Sequence, residues 1–165
     1  MRITELNEDD QQWVRERTEL LFGDHFVLSR DEVHDPHLLP GFIATEGKER
    51  VGLATYSIFG HECELVTIDA LCQYVGIGTM LLERVESEAR AAGCTKLWAI
   101  TTNDNLEAHR FFQRRGFTIS RVRLNSMVKI RLLKPSVPKV GMHGIPLRDE
   151  IEFEKSLLTP PKPRD

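Results

Sequence analysis

The sequence predicts an α/β fold, and three observations carry the prediction. A β-rich run ends at Leu71 and a helix-like run starts at Thr79, with Gln73-Tyr74-Val75-Gly76-Ile77-Gly78 between them. A second strand-to-helix passage follows, residues 96–101 leading through Thr102-Asn103-Asp104 into a helical pattern over residues 105–115. The composition, 41% hydrophobic and 28% charged over 165 residues, suffices for one core of ordinary size.

Taken in order, residues 2–6 read as a short strand and residues 9–22 as a helix, with Trp13, Leu20 and Leu21 as core candidates and Gly23 as the stop. Residues 24–40, which hold His25, His34, Pro36, His37 and Pro40, read as irregular. Residues 41–46 and 50–58 read as antiparallel strands joined by Gly47-Lys48-Glu49, and residues 62–71 as the next strand. In the helix behind the glycines, Leu81, Val85, Ala89 and Ala92 share a face and Gly93 supplies a left-handed stop. Ala108, Phe111, Phe112 and Arg115 recur at helical spacing, and Gly116 ends that helix. Residues 117–124 and 127–132 read as a final hairpin. Beyond it, Pro135, Pro138, Gly141, Gly144 and Pro146 oppose regular structure, and residues 147–158 read as an extended arm with a short amphipathic element. The expected organisation is a domain over residues 1–133 and an extension over residues 134–165. That extension packs on the domain as a wrap, a dimer contact or a lid, and residues 160–165 are disordered.

The glycine segment carries the chemistry. Two glycines one residue apart let the chain turn tightly after a strand, so that successive N–H groups at the next helix start can converge on one anion, a pyrophosphate cradle that needs no basic side chain. The dinucleotide fingerprint fails, because its third glycine position is Leu81 and Lys96 and Leu97 stand where an acidic residue is required. No Gly-Lys-Ser/Thr follows, which excludes a Walker loop. The remaining pattern is Q/R-x-x-G-x-G/A.

In that segment, and in Asn105-Leu106-Glu107-Ala108-His109-Arg110-Phe111-Phe112-Gln113-Arg114-Arg115-Gly116-Phe117, the chain resembles the GCN5-related N-acetyltransferase (GNAT) family over about residues 2–130. The resemblance implies a mixed, mostly antiparallel sheet splayed in its middle, with helices on both faces and acetyl-coenzyme A in the splay. It implies acetyl transfer to a primary amine by direct attack in a ternary complex, the acceptor being a small molecule or a peptide. The implied cofactor-binding residues are Leu71, Gln73, Tyr74, Val75, Gly76, Ile77, Gly78, Thr79, Asn105 and Phe112. Some members place a glutamate on the strand before the motif as general base, which makes Glu64 the first candidate and Asp69 the second, with Glu62 sharing the side-chain parity of Glu64. Many members carry a tyrosine seven residues after the helix-opening Asn as general acid; Phe112 stands there and cannot donate. Tyr74, Tyr56 or a water are the substitutes, and a catalytically impaired acyl-coenzyme A sensor is the alternative function. Asn105 serves pantetheine or caps its helix, and Arg110 reaches a cofactor phosphate or joins Arg114 and Arg115 on a solvated face.

Charge and cysteine usage narrow the partners. A net charge of −3 argues against nucleic acid, no apolar run is long enough to span a bilayer, and the first residues carry no signal-peptide core, so a cytoplasmic protein, possible as a homodimer, is expected. Cys63, Cys72 and Cys94 have no metal spacing and read as reduced thiols, with Cys72 as a small buried one. His34-Asp35-Pro36-His37 matches no standard metal site, and no metal is expected.

Overall fold

A computed structural model describes residues 1–158, so the disorder expected for residues 160–165 lies outside the described residues. Strand β1 (Arg2–Glu5) leads through a reciprocal capping box between Asn7 and Asp10 into helix α1 (Gln11–Phe22), which Gly23 ends at φ +79°. The buried face of α1 is Val14 and Thr18, whose hydroxyl donates to Val14 O. Leu20 and Leu21, expected in the core, are exposed: Leu20 falls two residues past Thr18 and off that face, whereas Leu21 keeps the spacing of Val14 and Thr18 and is half-exposed near the end of the helix.

Residues 24–40 are not irregular throughout. β2 (Val27–Ser29) and β3 (Glu32–His34) form a hairpin whose turn residues, Arg30 and Asp31, both have positive φ. This is the turn geometry that matches strand twist, usually signalled by Asn or Gly, and neither stands here. β4 (Gly41–Glu46), β5 (Glu49–Phe59) and β6 (Glu62–Ala70) then form an antiparallel meander. α2 (Ile77–Ala91), β7 (Lys96–Thr102), α3 (Leu106–Arg114) and β8 (Thr118–Arg123) follow.

After β8 the sequence reading fails for a physical reason. Residues 127–132 do not pair with β8: they lie in α4 (Ser126–Leu133), and the place beside β8 belongs to β9 (Glu150–Ser156). The sheet order is β1-β4-β5-β6-β7-β9-β8. Residues 147–158 therefore supply a strand between two others, in place of the expected surface arm, and Phe153 is wholly buried against Phe112. A cut at residue 133 would take that strand out of the sheet. Charge alternation disguised it: Glu150, Glu152 and Glu154 alternate with Ile151 and Phe153, yet Glu152 is buried and bonded to Arg30.

The two faces of the sheet are covered differently. Leu81, Leu82, Val85 and Ala89 of α2 pack with Phe42, Ala54, Cys63, Leu65, Leu97, Phe112 and Phe153 in one core. On the opposite face, Arg17 of α1 bonds Asp69 and His34 of the hairpin meets Glu64. Loss of a buried aromatic ring typically costs about 3–5 kcal/mol, so Phe153→Ala is expected to destabilise by that amount in urea unfolding. Ile119→Ala on exposed β8 should cost about 1 kcal/mol or less. Equal losses would show that β9 does not carry core energy.

Candidate active site

β6 and β7 are the sheet's parallel neighbours, and they pair only through Glu62–Lys96, Cys63–Leu97 and Glu64–Trp98. Beyond that the strands part, leaving backbone N–H and C=O groups on both inner edges available to a third segment. A cavity of about 380 Å³ opens in this region and runs to the start of α2.

One end of it lies against the glycine turn. Gly76 takes φ +88° as the N-cap of α2, and Met80 N returns to Gly76 O at 3.1 Å, so the amides of residues 77–79 precede the first intrahelical bond and carry the helix's positive end. A Cβ at Gly76 would meet nothing within 4 Å, so this glycine is needed for its conformation. Gly78 is needed for closeness: a Cβ there would come within 3.1 Å of the Phe111 ring. Tyr74, at φ +66°, holds a left-handed conformation that costs a non-glycine residue about 1 kcal/mol or more. These features fit a pyrophosphate followed by a pantetheine arm, whose apolar wall would be Ile68, Ala70, Ala108, Phe111 and Phe112.

Gln73, Tyr74, Gly76, Ile77, Gly78, Thr79, Asn105 and Phe112 all line this cavity, whereas Leu71 and Val75 lie outside its wall. Asn105 caps α3 by accepting from Ala108 N at 3.2 Å and donates to Thr101 at 3.1 Å, so capping and cavity lining coincide. Phe112 is buried in an aromatic cluster with Phe111, Phe117 and Phe153. Cys72 is exposed and not buried, because it follows the point where the chain leaves the sheet. Of the two tyrosines proposed as proton donors, Tyr74 lines the cavity, while Tyr56 is buried against Phe42.

A bulge in β6 decides where the carboxylates point. Tyr56 pairs with Leu65 and Thr55 with Thr67, so Val66 is the extra residue and the alternation of side chains reverses there. Glu64 and Asp69, opposite in parity, therefore share one face. Asp69 Oδ2 receives Arg17 Nε at 2.9 Å and Nη2 at 2.6 Å, which ties α1 to the sheet. Glu64, 6% exposed, has His34 Nε2 3.0 Å from its Oε2, an ion-pair distance without hydrogen-bond alignment. Glu62 is held by Lys96 at 2.7 Å.

Sequence reasoning missed several wall residues. Arg115 stacks 3.9 Å over Phe111 and donates to Thr79 Oγ1, so it belongs to the site and not to a solvated helix face; its i, i+4 spacing from Phe111 was the available signal. Burial lowers its pKa, though a guanidinium stays charged. Met142 and Leu21 also line the cavity, and nothing local announced them. Met142 is held by its N–H to Asp104 at 2.8 Å.

The Glu64 carboxylate raises the pKa of His34 above the usual 6.5, against the opposing effect of burial. A folded-state pKa raised in this way gives stability that is full below about pH 6.5 and disappears as pH rises through the raised value. Urea unfolding at pH 6 and pH 9 should therefore show the wild-type advantage over His34→Gln shrinking at the higher pH. A constant gap would mean that folding leaves the imidazole pKa unshifted.

Comparison with known proteins gives consistent findings. The family model "Acetyltransferase (GNAT) family" matches residues 2–117. The chain is 45% identical over 118 residues to YdhI of Bacillus subtilis strain 168, an uncharacterised protein, covering 71% of this chain and 74% of that one. Among solved structures, a Bacillus subtilis acetyltransferase in complex with CoA superposes with a TM-score of 0.70 at 17% identity, covering 95% of this chain and 99% of that chain. An aminoglycoside 6′-N-acetyltransferase complexed with coenzyme A gives a TM-score of 0.68 at 16% identity, covering 98% and 100%. With the family model matching well over half of its length, the chain belongs to the GNAT family of acetyltransferases.

Proposed function

We propose that this protein moves an acetyl group from acetyl-coenzyme A to a primary amine by direct attack within a ternary complex. The observation that carries the reading is that one continuous cavity joins the glycine turn at the start of α2 to the stretch of β6 that has parted from β7. Amides 77–79 would hold the pyrophosphate, the apolar wall would take the pantetheine arm, and the free strand edges would pair with its amide groups. Positioning of two reactants supplies much of the rate in such a scheme. A structural relative whose acceptor is an aminoglycoside agrees with an amine acceptor.

The amine must lose a proton before it attacks. For an alkylammonium of pKa about 10.4, reaching the neutral form at pH 7 costs roughly 4–5 kcal/mol. Glu64 is the carboxylate we assign to that step, because Asp69 is committed to Arg17 and Glu62 to Lys96. The departing thiolate meets no acid at Phe112; Tyr74, on the cavity wall, is the available hydroxyl.

Phe112 is also the one observation favouring a second reading, a sensor that binds acyl-coenzyme A without turnover. Calorimetry with acetyl-coenzyme A, followed by thiol release with a panel of amines, separates the readings. Gly76→Asn and Gly76→Asp both tolerate the left-handed backbone and differ in charge, so the Asp variant should bind roughly tenfold to a hundredfold more weakly than the Asn variant. Equal affinities would remove the cradle from the site. Binding without thiol release from any amine would leave the sensor.

A further inference from the structure

A second cavity, of about 110 Å³, lies on the hairpin side of the sheet, where β2 and β3 cross β6 and β7. Ser29, Glu32 and His34 wall it from the hairpin, and Glu62, Glu64 and Trp98 from the sheet. We propose that this cavity receives the ammonium end of an unbranched alkyl amine, which is the acceptor class of the enzyme. The inference rests on the acetyl-transfer reading above.

Position is the first argument. Glu64 and Trp98 form the last pair before β6 and β7 part, so the small cavity lies at the vertex of the splay, on the strand whose later residues, Ile68 to Ala70, wall the larger cavity. An amine held there stands at the closed end of the splay.

Charge is the second. Three carboxylates and one arginine line the cavity. Arg30 is spent elsewhere: it bonds Glu152 at 2.7 Å, stands 3.7 Å from Glu62 and covers the Trp98 ring at 3.6 Å. Lys96 takes Glu62. Among the described residues, neither Glu32 nor Glu64 has an ion pair with arginine or lysine, which leaves two carboxylates facing the space with His34 beside one of them.

The third argument is independent of the acids. Ser29 is 4% exposed, and its buried Oγ has no hydrogen-bond partner among the described residues. Buried hydroxyls are normally satisfied. An ammonium carries three donors, enough for Ser29 Oγ, Glu64 and a third acceptor at once. The volume admits an ammonium and its first methylenes. An α-amino acid would bring its carboxylate against Glu32 and Glu64.

The proton balance closes with these groups. The bound ammonium gives one proton to Glu64, the freed lone pair forms the new N–C bond, and the C–S bond breaks with its electron pair going to sulfur; the second proton of the nitrogen, released as the amide forms, passes through solvent to that sulfur. His34 in its neutral form takes the proton on from Glu64. An imidazole raised above 6.5 lies nearer the alkylammonium value of about 10.4 than an ordinary carboxylate does, so it is the better-matched store.

The test is NMR of the imidazole signals of the full chain, with His34 assigned by loss of its signal in His34→Gln. 1,4-Diaminobutane should shift the His34 signal saturably, while butane-1,4-diol and alanylglycine should not. Ser29→Val, which removes the unpartnered hydroxyl and narrows the cavity, should abolish the response. Glu32→Gln, at an exposed position, should weaken it roughly threefold to tenfold. No response to the diamine, an equal response to the diol, or unchanged titrations in both variants would overturn the proposal. Calorimetry with acetyl-coenzyme A on the same sample reads the acetyl-transfer reading separately, since its failure leaves the diamine titration intact.

Discussion

The parting of β6 and β7 after three paired residues is the constraint on which the rest of the structure depends. A sheet that opens in its middle loses ladder hydrogen bonds there, so each of the two strands must be held from its other side. β6 is held by β5 from Glu62 to Ala70, and β7 by β9 from Lys96 to Thr102. The second support comes from the C-terminal part of the chain, beyond the 2–117 stretch that the family model matches. Phe153 anchors it by joining the aromatic cluster of α3, so the strand that keeps the splay open also fixes the helix that walls the cofactor cavity. At the closed end, Glu62 sits between Lys96 and Arg30, and Arg30 reaches on to Glu152 of β9. Charge pairs thus tie three strands and the hairpin where the backbone pairing stops.

The bulge at Val66 is the second determinant, because it converts a strand of simple alternation into one whose two halves face their acids the same way. Without it, Ile68 and Ala70 would face α1 and Asp69 would face the core. With it, the apolar residues of the second half line the cofactor cavity, and Asp69 meets Arg17. The two carboxylates of that face are then separated by their partners. A guanidinium donating twice to one oxygen makes Asp69 a structural tie. An imidazole leaves Glu64 a partner that can itself exchange a proton near neutral pH.

What was legible in the sequence was whatever is written locally. The glycine turn before α2, the helix ends at Asn105, Gly23 and Gly93, and the strands β4 to β7 depend on residues within a few positions of each other, and they stand where the pattern put them. What was illegible needed partners from afar. The run Met127 to Leu133 is apolar enough for a strand, but only Met127 is buried, and the hydrogen-bonding edge it would have used is taken by β9. The hairpin over Val27 to His34 turns at Arg30 and Asp31, a pair with no turn signature. His34 itself reaches Glu64 across thirty positions, and no spacing rule announces such a contact.

Phe112 bears on the chemistry in a way that follows from the same packing. Its ring is 3% exposed and surrounded by Phe111, Phe117 and Phe153, so the position that would carry a proton donor is instead part of the core that holds β9. In the proposed reaction this loss falls on the easier of the two proton transfers. A thiol has a pKa of about 8.5 and an alkylammonium about 10.4, so once the attacking nitrogen has lost its proton, the sulfur is the group that leaves as an anion more readily. The demanding step is the removal of the ammonium proton, and for that step the chain keeps a buried carboxylate with an imidazole 3.0 Å away. In that proposed reaction, a packed phenylalanine on the leaving-group side and a Glu64–His34 pair on the attacking side place the polar groups where the barrier is higher.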